Sequence, residues 1–155
     1  MPRKAVTAAD IRAALAVAEA VADAVADAVT DAATDAVTAA ATEAVAAAPG
    51  KAAGPEPGPD PTAVRNAVRV TAQAIAERHP GKTVEIRIPP YIAVQAFGGL
   101  RHTRGTPPNV IETDARTWLA LVAGRRTWAD AVADGSLTAS GTRADISTVL
   151  PLTVE

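Results

Sequence analysis

The sequence predicts an α+β fold in which helices cover one face of a small, mainly antiparallel sheet, with an alanine-rich helix ahead of it. Residues 83–88, Thr83-Val84-Glu85-Ile86-Arg87-Ile88, alternate apolar and polar side chains, the pattern of a strand with one buried face. Stretches with apolar residues at helical spacing stand on both sides of it, several of them opened by a capping residue. A Pro/Gly-rich run from residue 49 to 61 separates all of this from an alanine-rich N-terminal third, because neither residue sustains a regular element there.

Three segments follow: residues 1–48 as a low-complexity helical arm, 49–61 as a linker and 62–155 as the domain. In the arm, Thr7-Ala8-Ala9-Asp10 is a capping box, so a helix is expected to start there. Val17, Val21, Val25, Val29, Val37 and Val45 then recur in steps of four or eight, with acids at Glu19, Asp23, Asp27, Asp31, Asp35 and Glu43. Four residues advance about 400° around a helix, so a period of four drifts by about 40° per repeat and leaves no single apolar face. The arm is therefore expected to stand outside the core, as a solvated helix or as a contact for a protein partner that the sequence does not identify.

The domain opens with Asp60-Pro61, a capping side chain followed by the residue favoured at the first helical position. Val64, Val68, Ala72 and Ile75 mark the buried stripe of this helix, and His79-Pro80-Gly81 ends it. After the strand at 83–88, Pro89-Pro90 breaks the chain and residues 91–97 resume as a second strand before Gly98-Gly99. A polar stretch from Leu100 to Asn109 leads to a short strand at Val110-Ile111-Glu112-Thr113. Asp114 is placed to cap a helix through Trp118, Leu119, Leu121 and Val122, closed by Gly124. Thr127-Trp128-Ala129-Asp130 opens a short helix ending at Gly135, and residues 136–140 form a strand. Thr142-Arg143-Ala144-Asp145 is a further capping box, expected to lead into a last amphipathic helix carrying Ile146, Val149 and Leu150.

Composition narrows the chemistry. There are no cysteines, which removes disulfides, thiol nucleophiles and thiolate metal sites and fits a reducing compartment. The recurrent acids of the arm exclude a secretory h-region or a membrane span, so a cytoplasmic protein without stable membrane insertion is expected. The net charge of −2 hides a split: residues 1–48 hold three basic side chains against seven acidic, residues 62–155 eleven against eight. So small a positive excess, with Trp118 and Trp128 in apolar contexts, does not make a nucleic-acid surface. Catalysis is equally poorly served. His79 lies in a helix-stop turn, His102 has no nucleophile or metal-ligand spacing near it, and of the carboxylates Glu112 and Asp114 the second is explained as a cap. A protein that is not an enzyme and uses no cofactor or metal is expected.

The run Arg101-His102-Thr103-Arg104-Gly105-Thr106-Pro107-Pro108-Asn109-Val110-Ile111-Glu112-Thr113-Asp114, followed by Thr117-Trp118-Leu119 and Trp128-Ala129-Asp130-Ala131-Val132, resembles the bacterial sterol carrier protein orthologues, an actinobacterial branch of the sterol carrier protein type 2 superfamily. The resemblance covers about residues 62–152 and does not extend to the arm. It implies a sterol carrier protein-like fold whose sheet and helices enclose an apolar tunnel for a lipid or fatty acyl chain. On that expectation the tunnel is lined by Val84, Ile86, Ile88, Ile92, Val94, Trp118, Leu121, Val122, Leu137, Ile146, Val149 and Leu150. The same side chains would equally make an ordinary core, since pockets and cores draw on the same residue types. Arg101, His102 and Arg104 could hold an anionic headgroup at the tunnel mouth by charge-assisted hydrogen bonds. The competing expectation is an interaction or accessory module of the same fold that holds no ligand.

Overall fold

The computed structural model describes residues 5–39, 59–99 and 109–154. Its elements in chain order are α1 (Ala8–Ala39), α2 (Pro61–Arg78), β1 (Val84–Ile88), β2 (Ile92–Ala96), β3 (Asn109–Thr113), α3 (Ala115–Val122), α4 (Trp128–Ala133), β4 (Leu137–Ser140) and a 3-10 turn at Ser147–Val149. The strands form one sheet in the order β2-β1-β3-β4. β1 pairs antiparallel with β2, β3 antiparallel with β4, and β1 parallel with β3, so the sheet is mixed and mainly antiparallel.

The alternation in β1 does what it predicts. Val84, Ile86 and Ile88 are buried while Glu85 and Arg87 lie on the other face, where they form an ion pair with Nε and Oε1 2.5 Å apart. Val94 and Ala96 of β2, Ile111 of β3 and Leu137 of β4 complete the buried face; α2 packs on it through β2, and α3 joins the same apolar cluster from beside α1 and α2. In α3, Thr117, Trp118, Leu119, Leu121 and Val122 are all buried, because it packs against both α1 and α2.

The expected caps form. Thr7 and Asp10 exchange hydrogen bonds at the start of α1, with the Asp10 amide donating to Thr7 Oγ1 and the Thr7 amide to Asp10 Oδ2. Asp60 accepts from the Thr62 amide, Asp114 from the Arg116 and Thr117 amides, and Thr127 from the Asp130 amide. Gly124 ends α3 at φ 72°. Beyond this left-handed conformation, a Cβ there would crowd Pro151 at 3.2 Å, so glycine also makes room for the C-terminal segment.

Two expectations are corrected. The arm does not stand outside the core: Ile11, Ala14, Ala18 and Val21 are buried in the same apolar cluster as the sheet, and α1 packs on α2 and α3. These residues are spaced three, four and three apart, the alternation of steps that keeps them on one side of a helix. The valine period shares Val21 with this seam, but alanine carries half of it, since its small side chain lets backbones approach closely. From Asp23 to Asp27 every residue is exposed. The second correction concerns the last helix. Thr142 and Asp145 make no capping box; Asp145 Oδ1 accepts from the Ser147 amide, and only the 3-10 turn Ser147–Val149 follows. Ile146 is buried at 2% exposure, while Val149 at the end of the turn and the extended Leu150 after it are partly buried.

Candidate ligand-binding site

Nine of the twelve expected lining residues, Val84, Ile86, Ile88, Val94, Trp118, Leu121, Val122, Leu137 and Ile146, are at most 8% exposed and belong to one apolar cluster. Ile92, Val149 and Leu150 pack against that cluster from its edge. The structure thus brings all twelve together, as mutually packed core. Two surface grooves open where this cluster meets the C-terminal segment, residues 141–154.

The first groove, of about 370 Å3, lies at the start of β1 and is lined by Thr83, Val84, Phe97, Gly98, Thr142, Arg143, Asp145 and Ile146. The second, of about 460 Å3, is lined by Ile75, Arg78, His79, Thr148, Val149, Pro151, Leu152 and Thr153. Both volumes fall in the range of small-molecule sites, about 300–1,000 Å3. Val84 and Ile146 of the expected set reach the first groove and Val149 the second; the other nine line neither.

The walls are set by three local devices. Asn109, buried at the start of β3, donates from Nδ2 to the Thr83 carbonyl at 2.9 Å and accepts the Arg143 amide on Oδ1 at 2.8 Å. This one side chain ties the approach to β1, the start of β3 and the C-terminal segment together. At the other end of that segment the Leu152 amide donates to the Val122 carbonyl at 3.0 Å, so the segment is fastened across both grooves as a strap. The rings of Phe97, which lines the first groove, and His79, which lines the second, are stacked with centroids 5.0 Å apart and planes 17° from parallel. Phe97 adopts φ 62°, a conformation rare for a bulky side chain. It is held there by its amide donating to the His79 carbonyl at 2.6 Å and its carbonyl accepting from the Thr83 amide at 3.1 Å. Gly81 passes so close that any Cβ would run into the Phe97 carbonyl.

Charge at the first groove comes from Arg143, which is exposed, and Asp145. The amide and hydroxyl of Ser147 hold the Asp145 carboxyl below the ordinary aspartate range. Gly99 leaves space that Arg143 and Thr83 use: a Cβ there would stand 2.7 Å from Arg143 Nη1 and 2.5 Å from Thr83 Oγ1. The headgroup residues expected from the sequence, Arg101, His102 and Arg104, lie outside the described residues. Phe97, Asn109, Arg143, Ile75 and Leu152 went unnoticed as site residues in the sequence. The available signal was Phe97, the chain's single phenylalanine, standing directly before Gly98-Gly99.

A third groove, of about 420 Å3, separates α1 from α2 and is lined by residues such as Ala13, Val17, Asn66 and Val70. Among the described residues no group of three His, Asp or Glu side chains is placed to hold a metal ion, and no helix is long and apolar enough to cross a membrane. No curated protein matches the chain. The family model described as bacterial SCP ortholog matches residues 60–152, from the cap of α2 to the Leu152 fastening of the strap. With that match over more than half its length and a mixed four-stranded sheet backed by helices, the chain belongs to the bacterial SCP ortholog family, a sterol carrier protein-like family.

Proposed function

We propose that the protein binds an apolar ligand, a lipid or a fatty acyl chain, without catalysing a reaction on it. The observation that carries this reading is the family match over residues 60–152, and the first groove adds a place where the partly exposed Phe97 stands beside the core residues Val84 and Ile146 and the exposed Arg143. Transfer of hydrocarbon from water into an apolar site contributes about 0.8 kcal/mol per methylene, so a tail that is enclosed binds with little help from its polar end. Arg143 suits an anionic end, while Asp145, whose carboxylate is engaged with Ser147, limits how much the charge adds. Chain length is therefore expected to matter more than headgroup. Membership of a sterol carrier protein-like family supports the same reading.

Native mass spectrometry of the purified protein, followed by solvent extraction, tests it. An apolar molecule should co-purify in stoichiometric amount, and a fluorescent fatty-acid analogue should bind and be displaced by unlabelled fatty acid. A protein that carries nothing and leaves the analogue unbound overturns the proposal. A second reading, that the fold serves as an interaction module, is favoured by the exposed turn of α1 from Asp23 to Asp27 with Val25 38% exposed. Pull-down with Val25→Glu, which should lose a partner that the native chain retains, tests that reading separately.

A further inference from the structure

We propose that the first groove binds an oxyanion, a carboxylate or a phosphate group, with Arg143 and Thr83 as its principal donors. Assigning that anion to the end of a lipid rests on the ligand-binding reading above; the site itself does not. The exposed Arg143 lines the groove, and no carboxylate among the described residues pairs with it, the ion pairs there being Arg87 with Glu85, Arg125 with Asp23 and Arg126 with Asp134. The Thr83 hydroxyl reaches the same spot. A Cβ on Gly99 would stand 2.5 Å from Thr83 Oγ1 and 2.7 Å from Arg143 Nη1, so a hydroxyl and a guanidinium nitrogen converge beside the Gly99 backbone. Gly98 also lines the groove, and its amide donates to no backbone carbonyl among the described residues. Thr142, exposed, adds a second hydroxyl to the lining.

The two segments that carry these donors are fixed to each other before any ligand arrives. Asn109, only 4% exposed, uses both ends of its side-chain amide for this: Nδ2 donates to the Thr83 carbonyl and Oδ1 accepts the Arg143 amide. A buried group that holds two chain segments side by side lowers the ordering cost of binding. Thr83 is further held by its amide, which donates to the Phe97 carbonyl. A guanidinium presents its N–H groups in a planar fork that matches two oxygens of a carboxylate or phosphate. Of the lining residues only Asp145 carries the opposing charge. Its carboxylate accepts from the Ser147 amide at the start of the 3-10 turn, so its position is explained without a ligand, and its charge weakens the hold on an anion. Binding is therefore expected to rest on hydrogen-bond geometry as much as on charge, and to weaken as salt rises.

Dodecanoate and dodecanol, which share one chain length and differ at the polar end, are compared by displacement of the fluorescent fatty-acid analogue from the full chain. The native protein should hold the acid about ten-fold more tightly than the alcohol, the effect of one charge-assisted hydrogen bond. Arg143→Gln should erase that preference and leave the alcohol unchanged, and Thr83→Val should narrow it about three-fold, with circular dichroism confirming the fold of each variant. Asp145→Asn, which keeps an acceptor for the Ser147 amide and removes the charge, should tighten the acid by about two-fold. A titration with inorganic phosphate, followed by phosphorus NMR on the native and Arg143→Gln chains, asks the same of a free anion. Phosphate binding that falls about ten-fold in Arg143→Gln, with no preference for the acid, supports the site with a free anion as its ligand; where acid and alcohol both fail to bind, the ligand-binding reading falls alone. An acid preference that is absent or survives Arg143→Gln, with phosphate equally indifferent to that change, overturns the oxyanion site while the ligand-binding reading stands. No binding of any probe overturns both.

Discussion

Thr71 shows how a single hydroxyl can hold two helices together. Its Oγ1 donates back to the Ala67 carbonyl at 2.8 Å, within α2, and accepts the Trp118 Nε1 proton at 2.9 Å, from α3. Both side chains are fully buried, so the indole N–H has no access to water if the hydroxyl goes. Among the described residues no buried side-chain nitrogen or oxygen is left without a partner, which makes this bond part of a core with its polar groups fully satisfied. Thr71→Val keeps the shape and removes the acceptor. It should destabilise the protein by about 1–3 kcal/mol, the penalty of an orphaned buried donor, read as a lower urea midpoint at unchanged slope.

The short helices depend on their ends more than on their length. α3 has only eight residues, and Asp114 serves it with bonds to two amides and to the Thr117 hydroxyl at 2.6 Å. Partial burial pushes the Asp114 carboxyl up; the bonds from Thr117 and Arg116 outweigh it, and the net direction is down. A carboxyl with a folded pKa below its unfolded value contributes stability that is fully present above the unfolded pKa. That contribution is lost as pH falls through the folded one. Asp145, lowered by its bonds from Ser147, acts in the same sense. Asp114→Ala should therefore cost about 0.5–2 kcal/mol at neutral pH. The gap between native and variant should shrink as pH drops below about 4, which urea titrations across that window would record. A gap that stays constant down to pH 2 would show that the carboxylate charge is not what α3 needs.

Across the whole molecule, the arm and the strap are the two segments whose roles come from what they pack on. α1 adds Ile11, Ala14, Ala18 and Val21 to a core otherwise built by residues 67–152, although the family match begins only at residue 60. The helix pair runs with the start of α1 at the end of α2, since the Val6 amide donates to Glu77 at 3.0 Å. Farther along, Arg125 and Asp23 form an exposed ion pair at 3.5 Å, a contact expected to contribute little. If the alanine seam is packed as described, Ala18→Leu overfills a site with no exposure and should cost about 1–3 kcal/mol. The same change at Ala24, which is exposed, should stay within about 0.5 kcal/mol. Thermal melts of the two variants decide the matter: equal midpoints would mean that α1 is not docked on the domain.

Local chemistry made much of this protein legible before any coordinates. The alternation in residues 84–88 settles β1 and its buried face, and Asp60, Asp114 and Thr127 mark helix starts through bonds that reach only two or three residues. Signals of that range need no knowledge of the rest of the chain. The last helix failed because Asp145 turns to the Ser147 amide and the Arg143 amide beside it is taken by Asn109, 34 residues away. The alanine seam was hidden because alanine is as common on solvated helices as in close-packed ones, so only the neighbouring α2 and α3 decide which it is. The two grooves beside the strap were hidden for the same reason. Phe97 acquires its meaning from a left-handed backbone locked against Gly81, His79 and Thr83, and residues that far apart in the chain meet only when the sheet and its strap have closed around them.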